Sequence, residues 1–288
     1  MKFLSPSLLA IAVSYMPRQA TGFNMKSSSS ISRGHFAAAS ASSRLFSSSS
    51  GETSPSTTTI LEGPDLGPVP STSKRLFLVR HGEVINPGGD RPVFYGAMDV
   101  PLSKLGEEEA KAAGQYLQQF DLEYVFASPL SRAVYGAEQI LALQSTDTLS
   151  SDKVVTLEGF RELDRGSWCG KTKDEIGPEN MARFDACDES ITPEGGESYP
   201  FLKERVLKAI DEVLTKMSPG RSAAIVSHLQ VTRSILSEAL GIPTNEMVNL
   251  PVATASVTCI DYDEGSQSVQ FQSFKPDAGL RASNDGAN

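Results

Sequence analysis

LFLVRHGE, residues 76–83, and SAAIVSHLQ, residues 222–230, share one form: a short apolar run, partly β-branched, that stops at a polar residue and then meets helix-forming sequence. Such a run reads as a buried parallel strand reaching its carboxyl end. Ligands of open α/β sheets bind at those ends. His81 and His228 are the only histidines after residue 51, and each sits at such an end. A lone histidine is more often a satisfied core or surface residue. Two in matching contexts, the first flanked by Arg80 and Gly82, point to one site assembled from distant segments.

Working outward, strands and helices alternate. Leu76–Val79 is the first strand, followed by a helix over Leu102–Phe120 with Ser103 as its N-cap. Glu123–Ala127 is a strand, Ser131–Leu143 a helix, Val154–Glu158 a strand and Tyr199–Met217 a longer helix with apolar residues at helical spacing. Ala223–Ser227 is the next strand. Val231–Leu240 is a helix stopped by Gly241 and Pro243, and Ser256–Tyr262 with Val269–Phe274 make a closing hairpin. That order predicts an α/β fold, a three-layer α/β/α sandwich around a mainly parallel sheet. The least regular stretch, Arg161–Glu197, is expected to cross the carboxyl edge of the sheet as a lid or specificity wall.

The ends read differently. Residues 1–51 hold no Asp or Glu, five Lys or Arg and twelve serines between Ser27 and Ser50, the composition of a cleavable targeting peptide. The apolar run Leu8–Val13 is too short to span a bilayer and suits a signal-peptide core. A two-part address is expected, the secretory route followed by organelle import, with plain mitochondrial or plastid import as the alternative, a plastid preferred to a mitochondrion, and an ordinary disordered extension as the remaining reading. Residues 52–73, with four prolines among Ser and Thr, read as a disordered linker. The catalytic domain is expected over 74–276, one core of comfortable size, with 277–288 a disordered tail. Without the first 51 residues, 21 Lys and Arg face 35 Asp and Glu, a net charge of −14. That acidity argues against nucleic acid and against stable association with an anionic membrane after processing. An anion that binds must therefore find a local cationic pocket. Three cysteines at Cys169, Cys187 and Cys259 show no metal-ligand spacing, and one Trp among seven percent aromatics points to no flavin or haem.

A site holding Arg80, His81 and His228 suits phosphoryl chemistry. Neutral imidazole is a good nucleophile, and the transferring group needs cationic donors around its equatorial oxygens. Arg80 supplies a bidentate fork, and Gly82 lets backbone approach the ligand. Leu78-Val79-Arg80-His81-Gly82-Glu83 resembles the signature of the histidine phosphatase superfamily, also called the phosphoglycerate mutase-like family. Further matches follow in that family's order: Tyr95-Gly96, Leu102-Ser103 with Gly106, Ser128-Pro129-Leu130-Ser131-Arg132-Ala133, Glu162 with Gly166 and Trp168, Gly195-Gly196-Glu197-Ser198, and Val226-Ser227-His228. The resemblance spans about residues 75–262.

It implies His81 as the nucleophile that becomes phosphohistidine, Arg80 and Arg132 as the phosphate clamp, and His228 as the group completing the pocket. Glu162 is implied as the acid that protonates the leaving oxygen and then activates water. On its residues alone the run Arg161-Glu162-Leu163-Asp164-Arg165 equally suits solvated surface, and Asp164 is an alternative acid. Asn86 is a further implied phosphate contact, one position nearer to His81 than the commonest family pattern places it. Leu229-Gln230 stands where the family commonly has two glycines, which narrows the space beside the phosphate. Gly136 and Cys169 also depart from the family pattern, without removing a catalytic group.

The expected function is a metal-independent phosphomonoesterase acting on a small phosphorylated metabolite such as a sugar phosphate. No cofactor is implied, because the arginines and histidines supply the positive charge. Arg91, Arg165, Lys171 and Lys173 are placed on the rim, where they would read the rest of an anionic substrate. The alternatives are a mutase of the phosphoglycerate type, disfavoured by the lack of a long insertion after Glu162, and a phosphate-binding module without turnover, which Leu229-Gln230 alone would favour.

Overall fold

The computed structural model describes residues 59–278. Its sheet has six strands in the order β4-β3-β5-β2-β6-β7. These are β2 (Lys74–Arg80), β3 (Leu122–Ala127), β4 (Val155–Thr156), β5 (Ser222–Ser227), β6 (Val257–Asp263) and β7 (Ser266–Phe274). The first four named in that order run parallel, and the β6–β7 hairpin joins antiparallel to β2. A two-residue β1 (Thr59–Ile60) lies apart, paired with β8 (Asp277–Ala278).

Both faces of β2 are covered, which is why its sequence is a continuous apolar run rather than an alternating one. Leu76 and Leu78 enter one core with α5 (Tyr199–Lys216) and α6 (Leu229–Leu240). Phe77 and Val79 enter the other with α1 (Lys104–Leu117) and α2 (Ser131–Leu141). Each of these four side chains is buried, a contribution of roughly 1.5–3 kcal/mol apiece. The expected three-layer sandwich is thereby observed. Ser103 caps α1 by accepting from the Gly106 N–H at 3.1 Å, and α6 stops at Gly241 in the left-handed conformation (φ 64°, ψ 30°).

Several boundaries move. The strand expected over 154–158 keeps only Val155–Thr156, because Glu158–Phe160 turns into a 3-10 helix. Helix α6 begins at Leu229, so His228 itself occupies the N-cap position. The stretch 161–197 is not irregular throughout: α3 (Lys173–Ile176) and α4 (Pro178–Asp185) lie within it. Thr172 and Glu175 form a reciprocal capping box at the start of α3. Ile176, Met181, Phe184 and Ile191 then join the core of α5, so the stretch is a packed wall rather than a loose lid.

The expected disordered linker and tail also need correction where they are described. Thr59–Ile60 pairs with Asp277–Ala278, Leu66 packs on the second core, and the Gly67 carbonyl accepts from Arg75 Nη1 at 2.8 Å. The fold thus runs past 74–276 at both ends, since these segments cover apolar surface that α1 leaves open. The expected targeting peptide of residues 1–51, residues 52–58 and the tail beyond residue 278 lie outside the described residues.

Lys275 anchors this closure. Its Nζ reaches Glu109 Oε1 at 2.6 Å and the Thr254 carbonyl at 2.8 Å, while Glu109 Oε2 accepts from the Glu83 N–H at 2.8 Å. Glu109 is fully buried. Lys275 Nζ also lies 3.3 Å from the buried Asp277 Oδ2, so Lys275→Met would strip both carboxylates of their counter-charge, and a loss of about 3–5 kcal/mol is expected in urea unfolding. Glu109→Gln and Asp277→Asn added to Lys275→Met should recover at least about half of it. A single variant as stable as wild type would show that the ion pair holds nothing.

Candidate active site

The register of the two central strands builds the site. Arg80 on β2 lies beside Ser227 on β5, so His81 and His228, one residue further along each chain, emerge as neighbours. The His81 N–H donates to the Ser227 carbonyl at 2.9 Å, and the two imidazole rings stand 5.1 Å apart between centroids at 61°. Gly82 follows because only glycine fits: a Cβ there would lie 2.2 Å from the Gly106 carbonyl oxygen.

His81 Nδ1 lies 2.6 Å from the Gly82 carbonyl oxygen. A carbonyl only accepts, so Nδ1 carries the proton and Nε2 keeps its lone pair. That Nε2 is buried without a hydrogen-bond partner. His228 Nε2 lies 2.7 Å from Ser128 Oγ. Ser128 Oγ accepts from the Leu130 N–H at 3.3 Å and has a proton of its own to give to Nε2; in that tautomer the imidazole proton sits on the buried Nδ1. One ring then offers a nucleophilic nitrogen and the other a donor. Burial, the larger cause, and then the guanidinium of Arg132 push both imidazoles well below their ordinary 6.5, with Arg80 adding to the effect.

Two arginines frame the pair. Arg80 Nη1 donates to the Val252 carbonyl at 2.7 Å. Arg132, at the start of α2, donates through Nη1 to Met98 O at 2.7 Å and through Nη2 to Gly96 O at 2.8 Å, and its Nε is buried without a partner. Its guanidinium lies over the Tyr95 ring at 5.5 Å. Both forks are fixed by main-chain carbonyls, so they are oriented before any anion arrives.

Glu162 is 1 % exposed. Its Oε1 accepts from the Leu163 N–H at 2.8 Å and its Oε2 from the Gln230 N–H at 3.3 Å, which ties it to the second residue after His228. Asp164, the alternative acid, is exposed and caps the Gly166 N–H instead. Asn86 is occupied otherwise. Its Nδ2 donates to Val93 O at 3.0 Å and its Oδ1 accepts from Gly88 N and Val93 N, closing the loop that follows the strand end.

The rim differs from expectation in one residue. Arg165 is 1 % exposed, with its guanidinium carbon 4.1 Å from the Phe184 ring centroid and 5.5 Å from that of Phe94. Those rings, brought from distant segments, pull it inside. Lys171 and Lys173 are exposed, and Arg91 is paired with Glu175. Ser128, which hydrogen-bonds His228, has no role assigned by the sequence motifs. It follows β3, the other neighbour of β5, and the strand-end rule that found the histidines applies to it as well.

Two cavities flank Glu162 and Gln230. The larger, about 620 Å³, includes Leu229 and Gln230 in its wall. The smaller, about 290 Å³, includes Glu162, Glu197 and Arg205.

Comparison with known proteins agrees with this geometry. Residues 76–274 match the family profile described as the histidine phosphatase superfamily (branch 1). Phosphoserine phosphatase 1 of Hydrogenobacter thermophilus is 28 % identical over 194 residues, covering 66 % of this chain and 87 % of that protein. A 2,3-bisphosphoglycerate-dependent phosphoglycerate mutase of Rhizobium etli is 31 % identical over 196 residues, covering 65 % and 91 %. Among solved structures, Bacillus stearothermophilus YhfR superposes with a TM-score of 0.61 at 27 % identity, covering 70 % of this chain and 97 % of that one.

The depressed histidines make stability depend on pH. The unfolded chain takes up protons below about 6.5 that the folded site refuses, so their contribution is complete above 6.5 and is lost as pH falls. Replacing both with asparagine should flatten the fall in stability between about pH 7.5 and 5.5 by roughly 1 kcal/mol per histidine. An unchanged slope would mean the imidazoles are protonated in the fold.

Proposed function

This chain belongs to the histidine phosphatase superfamily, and on that premise we propose that it is a phosphomonoesterase working through a phosphohistidine on His81. The observation that carries the reading is the buried Nε2 of His81, unprotonated and without a partner, beside His228 and two arginines fixed by main-chain carbonyls.

The chemistry follows in two balanced steps. The Nε2 lone pair attacks phosphorus while the bond from phosphorus to the leaving oxygen breaks, and that oxygen takes the proton of the Glu162 carboxyl. Arg80, Arg132 and the Nδ1–H of His228 hold the equatorial oxygens, where negative charge spreads as the group transfers. Water then attacks the phosphoryl group, Glu162 takes the water's proton, the nitrogen–phosphorus bond breaks, and phosphate leaves with His81 neutral again. The cationic side chains carry the charge that a metal ion carries in other phosphoryl-transfer sites, so the reaction is proposed to be metal-independent. Glu162 fits the acid role better than Asp164 because it is buried and tied through Gln230 to the segment that bears His228. Asn86, whose contacts all serve its loop, is a support rather than a phosphate ligand in this reading.

The test is phosphate release by the purified protein in EDTA from sugar phosphates, phosphoglycerates, nucleotides and aryl phosphates. Wild type should release phosphate, and His81→Ala should lose at least about a thousandfold in kcat. Interconversion of phosphoglycerates without release would instead make the chain a mutase. Glu162→Gln should cost about 10²–10⁴-fold on alkyl esters and much less on activated aryl esters, whose leaving oxygens need no proton. Equal losses on both would remove Glu162 from the acid role.

A further inference from the structure

We infer that the substrate's alcohol is bulky, uncharged and largely apolar, that it carries a hydrogen-bond donor, and that Gln230 recognises that donor. The inference rests on the phosphatase reading above and adds the class of leaving group.

The cavity of about 620 Å³ begins at Leu229 and Gln230, directly after His228. Three aromatic rings, Phe94, Phe184 and Tyr199, form its floor with Cys187, Leu229 and Val248, and all but Val248 are buried. Its charged residues balance, with Arg91, Lys173 and Arg233 against Asp90, Asp174 and Asp185. Arg91 is already paired with Glu175, and Arg165, expected on the rim, lies under the floor between Phe94 and Phe184. The wall carries no net charge and so offers no cationic surplus to a second phosphate or a polyanionic sugar. An apolar body of matching bulk is favoured instead.

Gln230 supplies the polar contact. It is 3 % exposed, and its side-chain carbonyl oxygen is buried with no hydrogen-bond partner. A buried acceptor without a donor is costly, and a ligand that brings one gains accordingly. The same residue holds Glu162 Oε2 through its backbone N–H, so the residue lining the cavity also touches the acid that would protonate the leaving oxygen. The smaller cavity is the poorer host. Its wall carries four carboxylates, Glu158, Glu162, Asp164 and Glu197, against Arg161 and Arg205, and those arginines already face Glu158 and Glu197.

The experiment compares kcat/KM of the full chain for 2-naphthylmethyl phosphate (the naphthyl ester), a series of its ring-hydroxylated analogues (the hydroxynaphthyl esters), 3-phosphoglycerate and fructose 1,6-bisphosphate, all of them esters of alkyl alcohols. The best hydroxynaphthyl ester should exceed the naphthyl ester by at least about tenfold, and both should exceed the two anionic substrates. Gln230→Met keeps the backbone donor to Glu162 and most of the side-chain volume, and it should bring the hydroxynaphthyl-to-naphthyl ratio close to one. A preference for phosphoglycerate or the bisphosphate overturns the inference, as does a ratio that survives in Gln230→Met. If that variant does not fold, the wild-type order still decides. Turnover in the wrong order sinks this inference alone, whereas silence on every ester, or release that persists in His81→Ala, sinks the phosphohistidine reading and this inference with it.

Discussion

The parallel pairing of β2 with β5, in the register that sets Arg80 beside Ser227, is the constraint on which the rest depends. It brings two histidines far apart in the chain within one ring's reach. Neither strand can slip, because each is covered on both faces and a one-residue shift would exchange the side chains of the two cores. The position of His81 is thus set by packing of the whole domain and not by a local loop. The close contact of Gly82 with the Gly106 carbonyl then fixes how the chain leaves the strand.

Burying so much charge at one edge has a cost that the fold offsets with its own backbone. Arg80 and Arg132 give donors to the carbonyls of Val252, Met98 and Gly96, and Glu162 takes two main-chain N–H groups. Each of these side chains is held by main-chain groups and not by another side chain, so the site is preorganised. The same burial keeps both imidazoles neutral, which a nucleophile requires and an ordinary surface histidine near its own pKa would achieve only in part. Behind the site, Lys275 and Glu109 tie the segment after β7 to the backbone at Glu83. Residues outside the site thereby support the segment that follows His81.

The strand ends were legible in the sequence because a fully buried parallel strand is a continuous apolar run, and the residue that ends it stands out. His81 and His228 stand side by side at those ends, with Arg80 on the last position of β2, whereas Arg132, on α2, was implied only by the family resemblance. What escaped it has physical causes. Thr59–Ile60 and Asp277–Ala278 are too short to show a period, and their order comes from pairing with each other and packing on α1. Helix α3 is four residues long, and its only sequence signal is the Thr172–Glu175 capping box, without an apolar run behind it. Arg165 sits in a charged run that reads as surface, yet rings from Phe94 and Phe184 enclose it. Asn86 has the composition of a ligand contact and the geometry of a loop tie.

In the proposed reaction the phosphoryl group is carried on one particular nitrogen. The direct measurement is to quench turnover in alkali, where phosphohistidine survives, and to identify the modified peptide and the ring position of the phosphate. The geometry predicts phosphate on Nε2 of His81, since Nδ1 is held by the Gly82 carbonyl. Phosphate on His228, on Nδ1 of His81, or on no histidine while phosphate is still being released would contradict it.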